Sequence, residues 1–374
     1  MGPVKRVIKN KRASLRVIIG GGGTGGHLFP GVAVGREILD RYPESEILFI
    51  TAGKKIESNI LTDAGFTQSS IMVEGIKGRG WKKAIKSILK LPYGLVQSIR
   101  ILKKVSPHVV LGVGGYSAGP VCFASWIMRI PTAIHEQNSF PGLTNRLLCR
   151  IADRVFISFD ESRGHFPAGR LVVTGNPVRG EFFEKQAQRN RNDSFTVLVV
   201  GGSQGAMSIN RAFLAALELL KDTGKDFRPI HQTGDKDFDW ISGEYKRRGL
   251  RGDIMPFIED MPGAYNQADI FVGRAGAGTI FELAALGKPS ILIPYPYAAN
   301  RHQEANARVL VEAGGAEMLL EDNLTGKRLA DLLLRYMGDR VALKKMGEMA
   351  LKAARPDATK SIVDHLEEMI ERRL

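Results

Sequence analysis

Cysteine is scarce in this chain of 374 residues: Cys122 and Cys149 are the two it has. Neither their number nor their spacing allows a metal cluster or a disulfide framework, and such usage fits a reducing compartment. Acid is missing over a long stretch as well. Between Glu74 and Glu136 there is no Asp or Glu, while ten Lys and Arg occur. The formal charge of +14 sits in one half: residues 1–177 carry 25 Lys/Arg against 11 Asp/Glu, and residues 178–374 carry 28 of each. A surface of one sign this wide implies an anionic partner. A secretory core is also lacking, since Met1-Gly-Pro-Val-Lys-Arg has no apolar run behind it; residues 1–14 read as a disordered basic leader. A 20-residue uncharged segment, residues 109–128, holds Gly112, Gly114, Gly115, Gly119 and Pro120. That punctuation suits strand, turn and helix better than a bilayer span. No Asp-x-Asp pair is expected to follow a strand in a metal-binding position, so neither metal nor cofactor is expected.

What is present is a doubled motif. Arg16-Val-Ile-Ile-Gly-Gly-Gly-Gly-Thr-Gly-Gly-His27 is echoed by Phe195-Thr-Val-Leu-Val-Val-Gly-Gly-Ser-Gln-Gly-Ala206. Each is an apolar β-branched run that ends in a glycine turn and passes into a helical pattern, a unit that aims helix N–H groups at an anion. A second echo pairs Gly115…Pro131 with Gly273…Pro289, each spanning 16 positions. Strands are expected at 15–20, 46–51, 109–113, 131–135, 154–159 and 171–174, then at 195–200, 227–231, 253–257, 269–273 and 290–294. A helix is expected at 29–42. Alternation of this kind implies an α/β fold with two doubly wound parallel sheets, one per lobe, facing a cleft. Gly175-Asn-Pro and the polar stretch after it mark the boundary, giving lobes 15–177 and 178–355.

Gly21-x-Gly23-x-x-Gly26 formally fits a dinucleotide fingerprint, but no acid follows the second strand to hold a ribose. A diphosphate or a sugar is the better ligand. His27, at the helix mouth, is either a general base or a helix-start packing residue, with Glu136 as the competing base beside Asn138. Thr279 and Glu282 read as a capping box or, with a nucleotide present, as a site where Glu282 holds ribose hydroxyls. On a helical wheel Trp81, Ile85, Ile88 and Leu89 share one side, with Lys82, Lys83, Lys86 and Lys90 on the other, until Pro92 stops the run. That pattern lies on an anionic bilayer or packs on its own domain. Nucleic acid is disfavoured, because the basic region lacks aromatic stacking motifs.

The ordered set Gly22-Gly-Thr-Gly-Gly-His27, Gly114-Gly-Tyr-Ser-Ala-Gly-Pro120, His135-Glu-Gln-Asn-Ser-Phe-Pro-Gly-Leu-Thr-Asn145, Gly175-Asn-Pro-Val-Arg179, Gly201-Gly-Ser-Gln-Gly-Ala206, Arg274-Ala-Gly-Ala-Gly-Thr-Ile-Phe-Glu282 and Gln303-x-x-Asn306 resembles the MurG family. The family comprises the bacterial transferases that add N-acetylglucosamine to lipid I. The resemblance spans residues 15–374. It implies the GT-B fold, with two Rossmann-like domains and residues 356–374 as a helix that packs back on the first. It implies inverting transfer from UDP-N-acetylglucosamine to the 4-hydroxyl of undecaprenyl-diphosphate-linked muramoyl-pentapeptide, giving lipid II. Another GT-B lipid glycosyltransferase or a UDP-sugar epimerase is the alternative. By the same resemblance, Thr24, Gly25 and Gly26 lie beside the donor sugar and acceptor diphosphate, and Gly23, Tyr116 and Asn145 serve the acceptor. Asn138 and Gln303 touch the donor sugar, Arg179 and Ser203 the diphosphate or nucleotide, and the Ile258 backbone the uracil. Ala277, Gly278, Thr279, Ile280, Phe281 and Glu282 cradle phosphate and ribose. His302 and Tyr295-Pro-Tyr297 depart from the more polar family pattern. A peripheral place on the cytoplasmic membrane face follows, with anionic phospholipid and other cell-wall or division proteins as partners and a part in cell shape and division.

Overall fold

The computed structural model describes residues 14–23, 25–74, 80–183 and 194–373, the side chains of 80–90 excepted. The leader expected over 1–14 lies outside these residues but for Ser14, and so does Thr24. The side chains expected to face a membrane, Trp81 to Lys90, also fall outside.

The first lobe begins with β1 (Arg16–Gly21), α1 (Gly25–Arg41), β2 (Glu46–Thr51), α2 (Lys55–Asp63) and β3 (Thr67–Ser70). It continues through α3 (Gly80–Val105), β4 (Val109–Gly114), α4 (Ala118–Ile127), β5 (Thr132–Glu136), α5 (Leu143–Leu148), β6 (Arg154–Ile157) and β7 (Leu171–Val173). All pairings are parallel, in the order β3-β2-β1-β4-β5-β6-β7. The second lobe opens with β8 (Phe195–Val200), α6 (Met207–Lys221), β9 (Phe227–Gln232), α7 (Phe238–Arg247), β10 (Asp253–Met255) and α8 (Met261–Gln267). Then come β11 (Ile270–Gly273), α9 (Ala277–Ala285), β12 (Ser290–Leu292), α10 (His302–Glu312), β13 (Ala316–Met318), α11 (Gly326–Gly338), α12 (Arg340–Lys352) and α13 (Ala358–Glu371). Its sheet runs β10-β9-β8-β11-β12-β13, the same winding as the first.

The strands with the strongest apolar runs are central. Val17, Ile18, Ile19, Val109, Val110 and Leu111 are fully buried, because helices cover both faces of a parallel sheet. In each sheet the strand order reverses direction between the first and fourth strands, β1/β4 and β8/β11. Turns that leave the carboxyl ends of such a pair open onto a crevice, where ligands bind in open α/β sheets. The sequence echoes therefore mark equivalent positions in the two lobes.

Three expectations need correction. β3 is an edge strand of Thr, Gln and Ser with no apolar signal, and β13 is three residues long; neither was foreseen. α1 begins at Gly25, one turn ahead of the expected 29. Pro92 does not stop its helix, since α3 runs through it to Val105. A proline forfeits one backbone hydrogen bond, and here the apolar face of Leu95, Ile99 and Leu102 on the core holds the helix together.

The last helix belongs spatially to the first lobe. Ile362, Val363, Leu366, Met369 and Ile370 of α13 join the core of Val17, Ile19, Val109 and Leu111. Arg41 on α1 fixes the helix register through Asp364 at 2.5 Å and Glu367 at 3.1 Å. Residues 109–128 form β4 and α4, and among the described residues no helix is long and apolar enough to cross a membrane. Both cysteines are buried and unpaired.

Candidate active site

Two glycine turns of the first lobe touch. Gly22 N–H donates to the Gly114 carbonyl at 3.2 Å. A Cβ on Gly115 would stand 2.1 Å from the Gly22 oxygen, so no other residue fits there. Beyond the turn α1 begins, with Gly25 half-buried, Gly26 exposed and His27 half-buried. Tyr116 is exposed on the neighbouring turn. Burial, and secondarily the charge of His302, lowers the His27 pKa to about 4, so its imidazole is neutral at pH 7. Gly23 N–H, expected to serve the acceptor, is already committed: it donates to Glu57 Oε1 at 2.5 Å.

The segment after β5 is organised by Glu136. Its Oε1 accepts Asn138 N–H at 3.0 Å and Asn138 Nδ2 at 3.3 Å. Its Oε2 accepts Gly142 N–H at 3.0 Å and Asn145 Nδ2 at 2.9 Å. Burial raises its pKa against the pull of these donors. With four donors on two oxygens, Glu136 holds a loop together and has no lone pair to offer as the competing base. Asn145, expected to serve the acceptor, is buried under the loop and also donates to the His135 carbonyl at 3.0 Å. Among the described residues its Oδ1 is buried without a hydrogen-bond partner.

In the second lobe α9 begins behind Gly276, which offers no side-chain cap. The capping-box reading of Thr279 and Glu282 therefore fails, as Thr279 already lies inside the helix. Ala277, Gly278 and Thr279 form its first turn, with Ile280 and Phe281 buried in the core below. Glu282 accepts the Tyr265 hydroxyl at 3.4 Å. Burial raises its pKa, while the Arg179 charge draws it down. Arg179 lies 4.5 Å from the Phe29 ring centre and pairs with Glu181 at 2.7 Å, and its Nε is buried without a partner. Ser203 is exposed on the turn after β8. Gln232, which the sequence did not point to, ties that turn to the next strand: Nε2 donates to Gly202 O at 3.0 Å and Oε1 accepts Ile258 N–H at 2.9 Å. Only the carbonyl of Ile258 is thus left for a base. Gln303 accepts Tyr295 N–H at 2.9 Å, which leaves its NH2 to donate outward.

The two half-sites meet across the lobes. Asn306, wholly buried on α10, accepts Ser139 N–H at 3.0 Å and its hydroxyl at 2.9 Å, and donates to Asn138 Oδ1 at 3.4 Å. Phe29 beneath Arg179 and His302, at the start of α10, beside His27 add to a contact between the lobes in which α1 also meets α9. An Asp-x-Asp-x-Asp run, Asp235 to Asp239, follows β9. Asp237 there accepts Asn210 Nδ2 at 2.8 Å, and among the described residues no three His, Cys, Asp or Glu come together to hold a metal.

On the outer face of the first lobe, Phe123 and Trp126 of α4 stack at 5.5 Å. With Ile127, Leu143 and Leu147 they are exposed. Arg129, Arg150, Arg170 and Arg373 gather beside Trp126. Isolated apolar residues carry no signal in a sequence; α4 packs against α5, the helix that carries Leu143 and Leu147.

The chain matches two family models, the glycosyltransferase family 28 N-terminal domain over residues 17–157 and C-terminal domain over residues 196–362. A UDP-N-acetylglucosamine–N-acetylmuramyl-(pentapeptide) pyrophosphoryl-undecaprenol N-acetylglucosamine transferase of Syntrophus aciditrophicus is 47% identical, over 96% of this chain and 99% of that protein. A protein of the same name from Geobacter sulfurreducens is 43% identical, over 94% and 98%. Among solved structures, MurG of Acinetobacter baumannii aligns with a TM-score of 0.74 at 30% identity, over 95% of this chain and 99% of that one. At this identity along nearly its whole length, the chain belongs to the MurG family of N-acetylglucosaminyltransferases and carries both of its family 28 domains.

Proposed function

We propose that the chain transfers N-acetylglucosamine from UDP-N-acetylglucosamine to the 4-hydroxyl of lipid I, giving lipid II with inversion, in peptidoglycan synthesis. The observation that carries this reading is the pairing of half-sites: the uncapped start of α9, with Glu282 and Arg179 beside it, stands against the glycine turn and His27 at the start of α1. In the reaction the acceptor oxygen attacks C1 of the sugar from the face opposite the diphosphate. The C1–O bond breaks and its electron pair leaves with UDP. The Arg179 charge and the N–H groups of α9 suit the negative charge that develops there.

The hydroxyl proton passes to the neutral imidazole of His27. A base of so low a pKa takes the proton late, once the forming O–C1 bond has made the hydroxyl acidic. Glu282 fits a ribose, since a carboxylate accepts from two hydroxyls. Asn138 and the NH2 of Gln303 fit the donor sugar, and Ser203 with the Ile258 carbonyl fit the nucleotide. Thr24, Gly25, Gly26 and Tyr116 fit the acceptor side. The exposed aromatic and leucine face of α4 and α5, with its arginines, supports a peripheral seat on an anionic membrane, where apolar anchors and basic side chains act together.

The test is incubation with radiolabelled UDP-N-acetylglucosamine and a short-chain lipid I analogue. Label moving into the lipid supports the reading. Conversion of the sugar nucleotide without an acceptor favours an epimerase, and label moving into diacylglycerol but not lipid I favours another lipid glycosyltransferase.

A further inference from the structure

Glu57 is a carboxylate that the transfer does not use. It lies in the first turn of α2, wholly shielded from solvent, so it cannot reach either substrate. Its Oε1 accepts Gly23 N–H at 2.5 Å and its Oε2 accepts Lys54 N–H at 2.9 Å. The same Oε1 stands 2.6 Å from where a Cβ on Gly22 would be, so the turn rests directly on the carboxylate. From the other side Gly22 is pinned by the Gly114 carbonyl.

Burial of a carboxylate is costly unless charge-assisted hydrogen bonds offset it. Here both oxygens are spent on backbone, and one of those bonds fixes the turn that opens the cleft. A negative charge beside a phosphate-binding loop also works against anion binding. Its presence is explained by geometry rather than by attraction. A Gly-rich segment left unsupported samples many conformations, and each ligand bound there would have to order it first.

We propose that Glu57 is a positioning residue for the acceptor. It holds the Gly22–Gly23 peptide in one conformation and withdraws Gly23 N–H from the diphosphate, so that the anion meets the N–H groups at the start of α1. This rests on the reading of that half-site as the acceptor's.

The test uses Glu57→Gln and Glu57→Asp in the full chain. Gln keeps the shape but sets an NH2 against one of the two N–H donors, and Asp falls short of the turn. Both are expected to raise the lipid I KM roughly tenfold, the loss of about one such bond. The donor KM should stay within about twofold, as the second lobe is untouched. Hydrogen exchange should quicken in the peptide covering 20–28 and stay unchanged in α13. An unaltered acceptor KM in either folded variant overturns the proposal. So does a parallel rise in both KM values with a lowered melting midpoint, which marks a merely structural role. If the wild-type protein transfers nothing to lipid I, the functional reading fails on its own. Exchange at Gly23 then still decides whether Glu57 holds the turn.

Discussion

Ser139, in the first lobe, donates both its N–H and its hydroxyl to Asn306 Oδ1 in the second, at 3.0 and 2.9 Å. Asn306 also donates to the Ala275 carbonyl, just ahead of α9, at 3.3 Å. One buried amide thus couples the loop that carries Asn138 to the helix start beside Glu282. Asn306→Ala takes the partner from the Ser139 N–H and the Ala275 carbonyl, and one partner each from the Ser139 hydroxyl and Asn138 Oδ1. The expected cost is on the order of 1–3 kcal/mol, seen as a lower urea midpoint, together with a raised donor KM. A variant of unchanged midpoint and KM would show that the lobes are held elsewhere.

Glu282→Ala should raise the donor KM by roughly 10- to 100-fold, the worth of hydrogen bonds to a charged group, and leave the acceptor KM nearly untouched. Glu282→Gln, which retains one acceptor oxygen, should fall between. Equal effects on both substrates would remove Glu282 from the ribose.

For His27→Ala the loss belongs in kcat, about 10²- to 10⁴-fold, with both KM values little changed. The imidazole must be unprotonated to accept, and its pKa is lowered to about 4. The acid limb of kcat/KM should therefore stay flat as pH falls from 8 to about 5 and drop only below that. An acid limb centred near 6.5 in the wild type would argue that His27 is not shielded as described.

The paired lobes could be read from the sequence because two independent echoes, the glycine-ended strands and the Gly-to-Pro units, carry a buried parallel strand's composition. Both turned out to flank equivalent strand pairs. Edge elements escaped for the opposite reason: Thr67–Ser70 pairs with β2 through its backbone and one bond from Thr67 Oγ1 to the Ile47 carbonyl, and its polar side chains carry no apolar pattern. At the site, residues adjacent to glycine turns were visible because turn chemistry is local. Glu57, Gln232 and the inter-lobe bonding of Asn306 were not, since each acts on backbone distant in sequence. The role first given to Glu136 changed because hydrogen bonding within one loop consumes both its oxygens.

Trp126→Ser with Leu147→Ser removes two exposed apolar side chains on neighbouring helices. Affinity for vesicles rich in anionic phospholipid should fall by roughly tenfold or more, given about 1.5–3 kcal/mol for each large side chain buried. Turnover of a water-soluble acceptor analogue should not change. Vesicle binding equal to wild type would place the membrane-facing surface elsewhere.

Three histidines make stability depend on pH in a fixed direction. Burial lowers the pKa of His27 and His135 to about 4 and that of His231 to about 3, against about 6.5 in an unfolded chain. Between these values the unfolded state binds protons that the native state refuses, so acid favours unfolding. The stability that neutral burial allows is fully present above pH 6.5 and is lost as pH falls from there toward 4. His231 offers the cleanest test, as it lies in the second-lobe core, bonded to Tyr245 at 3.2 Å and Asn210 at 3.1 Å, away from the cleft. His231→Gln should be less stable than wild type at pH 8 yet show a shallower decline of the urea midpoint between pH 6.5 and 4. A decline as steep as wild type would mean that His231 already finds a proton in the folded state, through an opening of the α7 side of the core.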